Sequence, residues 1–569
     1  MKKIIVIISL IAFVGLSCKK SFLEETPVSV LAPENLYVSK SGFEQGLYGL
    51  YNQIRQERGG YLQNTIGSVT ADPSNNISNG IMMVGVDNAY CNFPGAGNEK
   101  YYNWFSSGGS ISLVADSYNS TLFSWLYIVI NGANTIIGRA ENPSLNWSAT
   151  DKGQIIGEAK TIRAWAYRHL TFLWGAVPLV LTESNGSNVK TDYLRTPVAQ
   201  IRSQMEQDLL YADSTMADQA ISEGRFSKAV ADHYLAELYL TEGRYQAADS
   251  MASKIINNPM YKLITARYGV NKVNPGSPFT DMFIDGNSNR SQGNTEAIWV
   301  IQNAYLSLGG DYNIMRRYWV NRYDAIQIAG KTPITVSIAN GGRGLGRFAA
   351  TRFQFQLFNP TVDGRLGSNP SDQRGGATAG IYSWRFSWTY GNPVSRLNLN
   401  YNQDETMNNA SWPNTRKWDW APPAQYPNDV ANSSGYNCQI YIRLAEEYLF
   451  RAEAKYYLGD LAGAAQDINI LRQRANPNYT PCSPSDISID FILDERAREL
   501  FSEEHRRYTL LRIRDPQNPT LPIWIRRTNT YNKVISSNAP VIATDTLLPI
   551  PQSVINSNLT IPMPQNPGY

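Results

Sequence analysis

Two stretches of this 569-residue chain carry residues whose types and spacing suit a flat polar ligand such as a sugar. An aromatic ring stacks on the C–H face of a sugar ring, while a nearby amide or guanidinium group bonds the hydroxyls at its edge. We predict ligand-binding roles for two groups: Tyr101, Tyr102 and Trp104 in the first stretch, and Tyr318, Trp319, Asn321, Arg322 and Tyr323 in the second.

Weaker candidates of the same kind lie elsewhere in these stretches. Trp384 and Trp388 form a second choice of aromatic platform, and Asn76 and Asn98 could supply further polar contacts. A single aromatic side chain is more often part of a core than of a ligand site, so the prediction depends on the groups rather than on any one ring.

Both groups fall in parts of the chain without sustained hydrophobic periodicity, residues 59–110 and about 261–437. These parts are rich in glycine and aromatic residues, and they are too aromatic to be disordered. A long irregular segment of this kind usually serves function and needs a folded scaffold beneath it. We therefore expect loops and short strands, including a strand at 297–302, that rest on regular elements.

The scaffold is predicted from two helical hairpins. Within Tyr441–Ala475, small and apolar residues recur at helical spacing and Gly459 interrupts them; Ala229–Ile256 repeats this design around Gly243. Their alanines allow two helices to approach closely, as in tetratricopeptide-type repeats. A hairpin of this kind cannot bury its apolar face alone, which predicts that several stack together.

Further amphipathic helices are predicted at 33–58, 118–141, 151–174, 198–217 and 489–508. Three tryptophans fall on the faces of these helices and are assigned to the core: Trp125, Trp165 and Trp174. The expected fold is therefore mainly α, with a helix-pair scaffold at about 31–260 and 438–515 and a large irregular insertion at about 261–437.

The first residues predict export and a lipid anchor. Two lysines precede an apolar run, Ile4–Leu16, which is too short to span a membrane and ends at a small-residue cleavage site before Cys18. We predict a signal peptide at 1–17, acylation of Cys18, and a tether at 18–30. Acyl chains on one terminal residue would hold the protein on a membrane rather than across it.

Charge and motifs argue against several functions. Lys+Arg 51 against Asp+Glu 48 gives a formal net charge of +3, so charge offers no argument for a nucleic-acid partner. The chain has no HExxH or GxSxG motif, and its three histidines lie in predicted helices. Acidic pairs such as Glu446–Glu447 and Glu503–Glu504 are expected to be solvated or ion-paired. We therefore expect no catalytic residue and no cofactor.

One pattern resembles a calcium loop. Asp285, Asn287, Asn289 and Glu296 stand at the first, third, fifth and twelfth positions of an EF-hand-like sequence, but Arg290 occupies the position where glycine makes the turn. A strand, not a helix, is predicted to follow. A polar turn is therefore the preferred interpretation, and no metal site is predicted.

Three cysteines remain after Cys18, namely Cys91, Cys438 and Cys482. Outside the cytoplasm an odd number allows one disulfide at most. The sequence leaves open whether any pair forms.

The chain resembles the SusD/RagB family of outer-membrane nutrient-binding lipoproteins over nearly its whole mature length. The strongest segments are C-terminal: IRLAEEYLFRAEA at 442–454, ILDERARELFSEEHRRYTLLR at 492–512, LLPIPQSVI at 547–555 and PQNPGY at 564–569. Segments that agree in order lie upstream: INGANTII at 130–137, EAKTIRAWAYRHLTFLWGAVPLV at 158–180 and GRFSKAVADHYLAELYLTEGRYQAA at 224–248. A SusD-like domain would then cover 31–569.

This resemblance implies tetratricopeptide-like helix pairs with an irregular face that binds ligand. It also implies a lipid-anchored protein of the cell outer membrane, facing outward, that captures oligosaccharide and delivers it to a SusC-like TonB-dependent transporter. Two alternatives stay open, a peptide-binding RagB-type lipoprotein and a glycan-degrading enzyme on a helical scaffold. The aromatic loops favour a glycan, because a peptide site should need charged or edge-pairing groups.

Overall fold

The computed structural model describes residues 32–59, 80–91, 117–274, 276–304, 310, 314–325, 336, 342–358, 382–383, 414–415, 417–418, 435–533 and 540–569. The predicted signal peptide at 1–17, the acylation site Cys18 and the tether at 18–30 lie outside these residues. Within them the fold is mainly α, as predicted.

Most helices precede or follow the insertion. They are α1 (Pro33–Leu36), α2 (Lys40–Arg55), α3 (Gly80–Met83), α4 (Ser117–Arg139), α5 (Ala149–Trp174), α6 (Val198–Thr215), α7 (Lys228–Thr241), α8 (Tyr245–Ile256), α9 (Pro278–Asp281), α10 (Met315–Trp319), α11 (Arg352–Gln356), α12 (Leu444–Leu458), α13 (Leu461–Ala475), α14 (Ile489–Leu500), α15 (Arg506–Arg512), α16 (Ile523–Tyr531) and α17 (Gln552–Ser557).

The strands of the described residues are short and pair two by two. They are β1 (Ala89–Cys91), β2 (Ala297–Ile301), β3 (Phe348–Ala350), β4 (Tyr382–Ser383), β5 (Asn414–Thr415), β6 (Gln439–Arg443), β7 (Arg514–Asp515) and β8 (Asn518–Pro522). The antiparallel pairs are β1 with β3, β2 with β6, β4 with β5, and β7 with β8.

The two predicted hairpins stack directly on each other. Helices α4 to α8 pack each on the next, and α8 then packs on α12, which packs on α13. Tyr245 of α8 stacks on Tyr457 of α12 with ring centroids 4.3 Å apart, and the Arg451 guanidinium donates to Ser253 Oγ at 3.3 Å. The prediction of a helix-pair scaffold is thus confirmed.

Small residues shape the C-terminal hairpin as expected, but its first residues are not helical. Ala445 and Ala452 are fully buried, and Gly459 ends α12 with a left-handed φ of +82°. The helix begins at Leu444 rather than at Tyr441, because Gln439–Arg443 extends as β6 and pairs with β2. This strand pair therefore joins part of the predicted insertion, about 261–437, to the start of α12.

The helix predicted at 489–508 is interrupted. Helix α14 ends at Leu500, Ser502 has a φ of +62°, and α15 begins at Arg506. The break buries three consecutive side chains with separate partners: Glu503 Oε2 with Arg443 Nε at 2.6 Å, Glu504 Oε2 with Arg496 Nη2 at 2.7 Å, and His505 Nε2 with Glu57 Oε1 at 2.7 Å. The turn at 501–505 thus directs these three side chains to partners on different elements.

The expected ion pairing of the acidic residues is confirmed. Glu446 pairs with Arg496 at 2.6 Å, and Glu447 Oε1 lies 2.5 Å from Nδ1 of His233. These carboxylates stabilise contacts between helices instead of facing solvent, because their partners come from other elements.

The C-terminal tail returns to the core. The buried side chain of Asn566 donates to the carbonyl oxygens of Trp174, at 2.9 Å, and Leu548, at 2.6 Å, and it accepts from Arg195. Trp174 ends α5, so the tail closes the end of a scaffold helix whose carbonyl groups lack helical partners. The final PQNPGY segment thus has a structural role.

Two further features of the described chain concern its chemistry. No disulfide joins Cys91, Cys438 and Cys482. Helix α4 is long and apolar enough to cross a membrane by length and composition, yet 56% of its most apolar window is buried. It packs against α2 and α5, which makes it a core helix.

Candidate functional site

Described parts of the two predicted ligand-binding stretches meet at one place, which we name the loop base: β1, β3, α10 and residues 55–59. Cys91 of β1 pairs with Phe348 of β3. Cys91 directly precedes segment 92–116, which carries the first aromatic group, and Phe348 lies on the insertion that carries the second. The strand pair therefore brings the bases of the two stretches together.

Helix α10 is fixed to this strand pair by aromatic contacts. Tyr318 stacks on Phe348 with centroids 4.4 Å apart and planes 8° apart. Trp319 meets the edges of Phe348 and Phe501 at centroid distances of 5.4 and 5.2 Å. The loop base is thereby joined to the end of α14 and so to the helical scaffold.

The C-terminal turn of α2 completes the loop base. The amide of Ile314, at the start of α10, donates to the carbonyl oxygen of Arg58 at 3.0 Å. The Arg58 guanidinium in turn donates to the carbonyl oxygens of Ile440, at 3.0 Å, and Glu503, at 2.8 Å. The loop base therefore includes the residues that precede segment 60–79, which belongs to the first predicted stretch.

The glycine-rich run 341–347 lies along α10 over its described part. The amides of Leu345 and Gly346 donate to the carbonyl oxygens of Arg317, at 3.1 Å, and Val320, at 2.7 Å. A Cβ atom on Gly344 would lie 1.8 Å from the Val320 carbonyl oxygen. Glycine is therefore needed at 344 for close approach of two backbones.

A buried carboxylate anchors the segment that leads into β1. Asp87 is fully buried and binds Arg506 Nη2 at 2.7 Å and Arg527 Nε at 2.7 Å. Burial alone would raise the pKa of Asp87, but the charges of Arg506 and Arg527 outweigh it and lower the pKa to about 2. The loop base is thus held to α15 and α16.

The structure corrects one part of the site prediction. Tyr318 and Trp319 are 3% and 1% exposed, with their rings packed on Phe348 and Phe501. A platform must offer an open ring face to a ligand, so these two side chains belong to the core of the described structure. The sequence could not reveal this, because β3 and α14 are distant along the chain.

Three of the other predicted site residues follow α10 directly. Asn321 is buried and Arg322 is exposed next to α10, while Tyr323 lies in the short 3-10 turn Tyr323–Ala325, where its backbone alone is described. The remaining candidates lie outside the described residues: Tyr101, Tyr102, Trp104, Trp384, Trp388, Asn76 and Asn98. For these residues, a role in ligand binding stays a prediction.

Sequence reasoning missed an aromatic cleft beside the loop base, which we name the Tyr48 cleft. It has a volume of about 440 Å³ and includes Tyr48, Asn52, Arg55 and Gln302. The Tyr48 ring is 52% exposed, and the Arg225 guanidinium lies 5.9 Å from its centroid. An open ring with polar groups at its edge is the arrangement that a sugar requires.

A signal for the Tyr48 cleft was present in the sequence. Tyr48 falls outside the apolar face that Leu47, Leu50 and Ile54 form on α2, and Gly49 follows it. No neighbouring atom lies within 4 Å of a Cβ placed on Gly49, so space is left beside the ring. The sequence could not reveal that Arg55 Nη1 donates to the Gln302 carbonyl oxygen at 3.0 Å, because the two residues are distant along the chain.

Two histidines that sequence reasoning left apart meet in the interior. His505 Nδ1 lies 2.9 Å from Arg168 Nη1, and His169 Nδ1 lies 2.9 Å from the Tyr508 hydroxyl. Burial lowers the pKa of His505, an effect that Glu57 opposes only in part. Both rings are almost fully buried. Their contacts tie α5 to α15 inside the core.

The calcium-like pattern forms a turn whose side chains bind other parts of the protein. Asn287 Oδ1 accepts from the Val270 amide at 2.9 Å, and Glu296 Oε1 binds Arg443 Nη1 at 3.0 Å. Asn289 exchanges hydrogen bonds with the Gln302 amide group. Over the described ranges, no three His, Cys, Asp or Glu side chains are grouped in a way that could hold a metal ion.

The chain is similar to known proteins in both sequence and structure. The model of the SusD family matches residues 282–569, just over half of the chain. A second model, described as starch-binding and associating with the outer membrane, matches residues 21–240. The SusD-like protein P25 of Formosa agariphila is 27% identical over 533 residues, which cover 90% of this chain and 89% of that protein.

Solved structures are similar over almost the whole chain. A SusD homologue from Bacteroides thetaiotaomicron has a TM-score of 0.69 at 18% identity, covering 94% of this chain and 98% of its own. A laminarin-binding SusD-like protein has a TM-score of 0.65 at 19% identity, covering 93% and 100%. The fold is common to these proteins, and with the family match over residues 282–569 the chain belongs to the SusD family.

Proposed function

We propose that this protein is a non-catalytic binding protein of the outer-membrane surface that captures oligosaccharides on the face formed by the loop base and the Tyr48 cleft. The pairing of Cys91 with Phe348 is the observation that carries this proposal, because it joins the residue that precedes segment 92–116 to a strand of the predicted insertion, which lies far away in sequence. Loops held on a rigid helical scaffold are a common setting for binding residues.

The Tyr48 cleft adds a described surface to this face. Its exposed ring and the amide group of Asn52 combine a stacking surface with a hydrogen-bonding group, and the side chains of Arg55 and Gln302 line the same cleft. The family match and the laminarin-binding structural neighbour support a saccharide as the ligand. Laminarin is therefore the first probe to try.

The ligand is tested with a soluble form that lacks residues 1–18, by affinity electrophoresis against a panel of polysaccharides that includes laminarin. Tyr48→Ala and Trp104→Ala should each weaken binding by at least about 1 kcal/mol, as removal of a stacking ring does at other interfaces. Tyr211→Ala, which changes a half-buried tyrosine of α6, is the matched control and should bind normally.

Three outcomes would contradict the proposal. Normal binding by both Tyr48→Ala and Trp104→Ala would show that the ligand does not bind at the face formed by the loop base and the Tyr48 cleft. If the protein binds peptides and no polysaccharide, its ligand is a peptide. If it degrades a bound polysaccharide and one carboxylate substitution abolishes that turnover, it is an enzyme.

The anchor and the partner form the second part of the proposal. Acylation of Cys18 would hold the protein on the outer membrane, facing outward, and a SusC-like TonB-dependent transporter would receive the ligand. Cys18→Ala should release the protein from membranes without changing ligand affinity. Purification from mildly solubilised membranes should recover a large β-barrel partner; a protein that stays membrane-bound without Cys18, or that purifies alone, would contradict this part.

A further inference from the structure

A second cleft lies on the scaffold, apart from the loop base. It has a volume of about 600 Å³ and lies between α6, the turn that joins α7 to α8, the end of α12, and β7 with β8. None of the residues that line it belongs to the loop base or the Tyr48 cleft. We name it the Arg202 cleft.

The carboxylates of the Arg202 cleft already have arginine partners. Glu453 forms a buried two-point pair with Arg512, with one contact at 2.8 Å. Asp515 binds Arg526 at 2.8 Å, and Glu242 lies 3.3 Å from Arg244. The negative charges lining this cleft are therefore largely neutralised by these pairs.

Two arginines of the same cleft have no carboxylate partner. Half-buried Arg202 makes no hydrogen bond or ion pair within the described part of the chain, and Arg514 donates only to the Thr520 carbonyl oxygen, at 3.3 Å. Burial lowers the pKa of Arg202; Glu242 opposes this shift, and the charge of Arg514 adds to it. A partly desolvated guanidinium without an acceptor is a costly arrangement that an anion would relieve.

The wall of the cleft offers aromatic surface next to these charges. The rings of Tyr245 and Tyr457 stack at 4.3 Å, and Tyr456 meets the edge of Tyr457 at 5.1 Å. The hydroxyls of these three tyrosines form no hydrogen bond with any described residue, so they can bond a ligand. Pro516 and Pro519 also line the cleft, and they offer no N–H group.

We propose that the Arg202 cleft is a second binding site, selective for a saccharide that carries a carboxylate or a sulfate. The guanidinium groups of Arg202 and Arg514 bind the anionic group, and the tyrosine wall contacts the sugar ring. Arginine suits both anions because its planar fork matches their oxygen pairs. The choice of a saccharide rests on the proposed function, whereas selectivity for an anion rests on the cleft alone.

The test is calorimetry on the soluble protein lacking residues 1–18, with a trisaccharide of galacturonic acid, its full methyl ester, and a sulfated galactose trisaccharide. At least one anionic probe should bind, and the methyl ester should bind at least tenfold more weakly than the acid if the carboxylate is recognised. The carboxylate and sulfate arms decide which anion the cleft prefers. Failure of both anionic probes to bind would overturn the proposal.

Arg202→Gln should weaken binding of the anionic probe by roughly ten- to a hundredfold, the range for loss of a charge-assisted hydrogen bond. Lys262→Gln is the matched control, since Lys262 is an exposed cation that lines neither the Arg202 cleft nor the Tyr48 cleft, and it should bind within about twofold of the unaltered protein. Melting temperature gives a second readout. Because Arg202 has no partner to lose, Arg202→Gln should melt at the same temperature or higher; a lower melting temperature with unchanged affinity would make Arg202 structural.

A further variant separates failure of the Arg202 cleft as an anion site from failure of the oligosaccharide site proposed at the loop base and the Tyr48 cleft. Arg322→Gln changes an exposed arginine beside α10. If this variant loses the anionic probe and Arg202→Gln does not, the anion binds at the loops and the Arg202 cleft is not its site. Binding of neutral polysaccharide that depends on Tyr48 supports the loop face whatever the result for Arg202.

Discussion

Tyr318 and Phe348 stack with ring centroids 4.4 Å apart and an angle of 8° between their planes. The contact joins α10 to β3, and β3 pairs with β1, so it connects parts of both aromatic stretches. The sequence offers Tyr318 and Trp319 as ligand platforms, but both side chains are buried in the loop base. Substitution of these buried residues should therefore lower the stability of the protein, whereas substitution of an exposed platform should lower its ligand affinity.

Trp319→Ala should lower the free energy of unfolding by about 3 to 5 kcal/mol, because the side chain is buried against Phe348 and Phe501 and its removal leaves a cavity. Urea unfolding measures the change. Arg322→Ala, at an exposed position, should stay within about 0.5 kcal/mol. An unchanged stability together with weaker ligand binding would return Trp319 to the ligand site.

Ala452→Leu should cost about 1 to 3 kcal/mol by overpacking the fully buried interface where Ala452 lies with Ile468 and Ile492. Thermal unfolding measures it. Ala462→Leu adds the same atoms at an exposed position of α13 and should be nearly neutral. Equal effects of the two changes would contradict the close packing of the hairpin.

Asp87 should make stability depend on pH in the acid range. The pKa of its carboxyl is lowered to about 2 in the folded protein, below its usual value of 3.8. A carboxyl with a lowered folded pKa stabilises the fold above its unfolded pKa. That contribution, about 2 to 3 kcal/mol, should therefore be lost as pH falls from about 4 to about 2.

Asp87→Asn tests this assignment. The variant should lose about 3 kcal/mol of stability at pH 7, because Arg506 and Arg527 lose a buried charged partner. It should also show a smaller fall in stability between pH 4 and pH 2 in urea unfolding. Asp192→Asn, at an exposed position, should change neither quantity. If stability falls as much between pH 4 and pH 2 in Asp87→Asn as in the unaltered protein, the pH dependence comes from other carboxylates.

Asn566→Ala should cost about 2 kcal/mol, because the buried carbonyl groups of Trp174 and Leu548 lose their donor. Differential scanning calorimetry should show a lower melting temperature. Asn556→Ala removes an asparagine of α17 that is exposed and bonds only Gln552, and it should be nearly neutral. If both variants melt alike, the tail does not stabilise the end of α5.

Much of the scaffold could be predicted from sequence because its signals are local. Helix α5 extends over Ala149–Trp174 where 151–174 was expected, and α6 over Val198–Thr215 where 198–217 was expected. Apolar spacing and a glycine that takes a left-handed φ act over a few residues, so a sequence displays them. The break at 501–505 escaped detection because Arg443 and Glu57, the partners of Glu503 and His505, are remote in sequence.

The candidate site was predictable only as a type of chemistry. Aromatic and amide residues indicated stacking on a sugar, but burial of Trp319 depends on Phe348 and Phe501, and no local pattern encodes a contact between distant segments. For the same reason the exposed ring of Tyr48 was seen only as part of a helix.

The sequence by itself determined the helix pairs, the family resemblance and the segments in which binding residues should be sought. The tertiary structure alone decided that Cys91 meets Phe348, that Trp319 is core, and that Arg202 faces a cleft without an acid partner. Helical periodicity is set by neighbours along the chain, whereas burial and charge pairing are set by residues that only folding brings into contact.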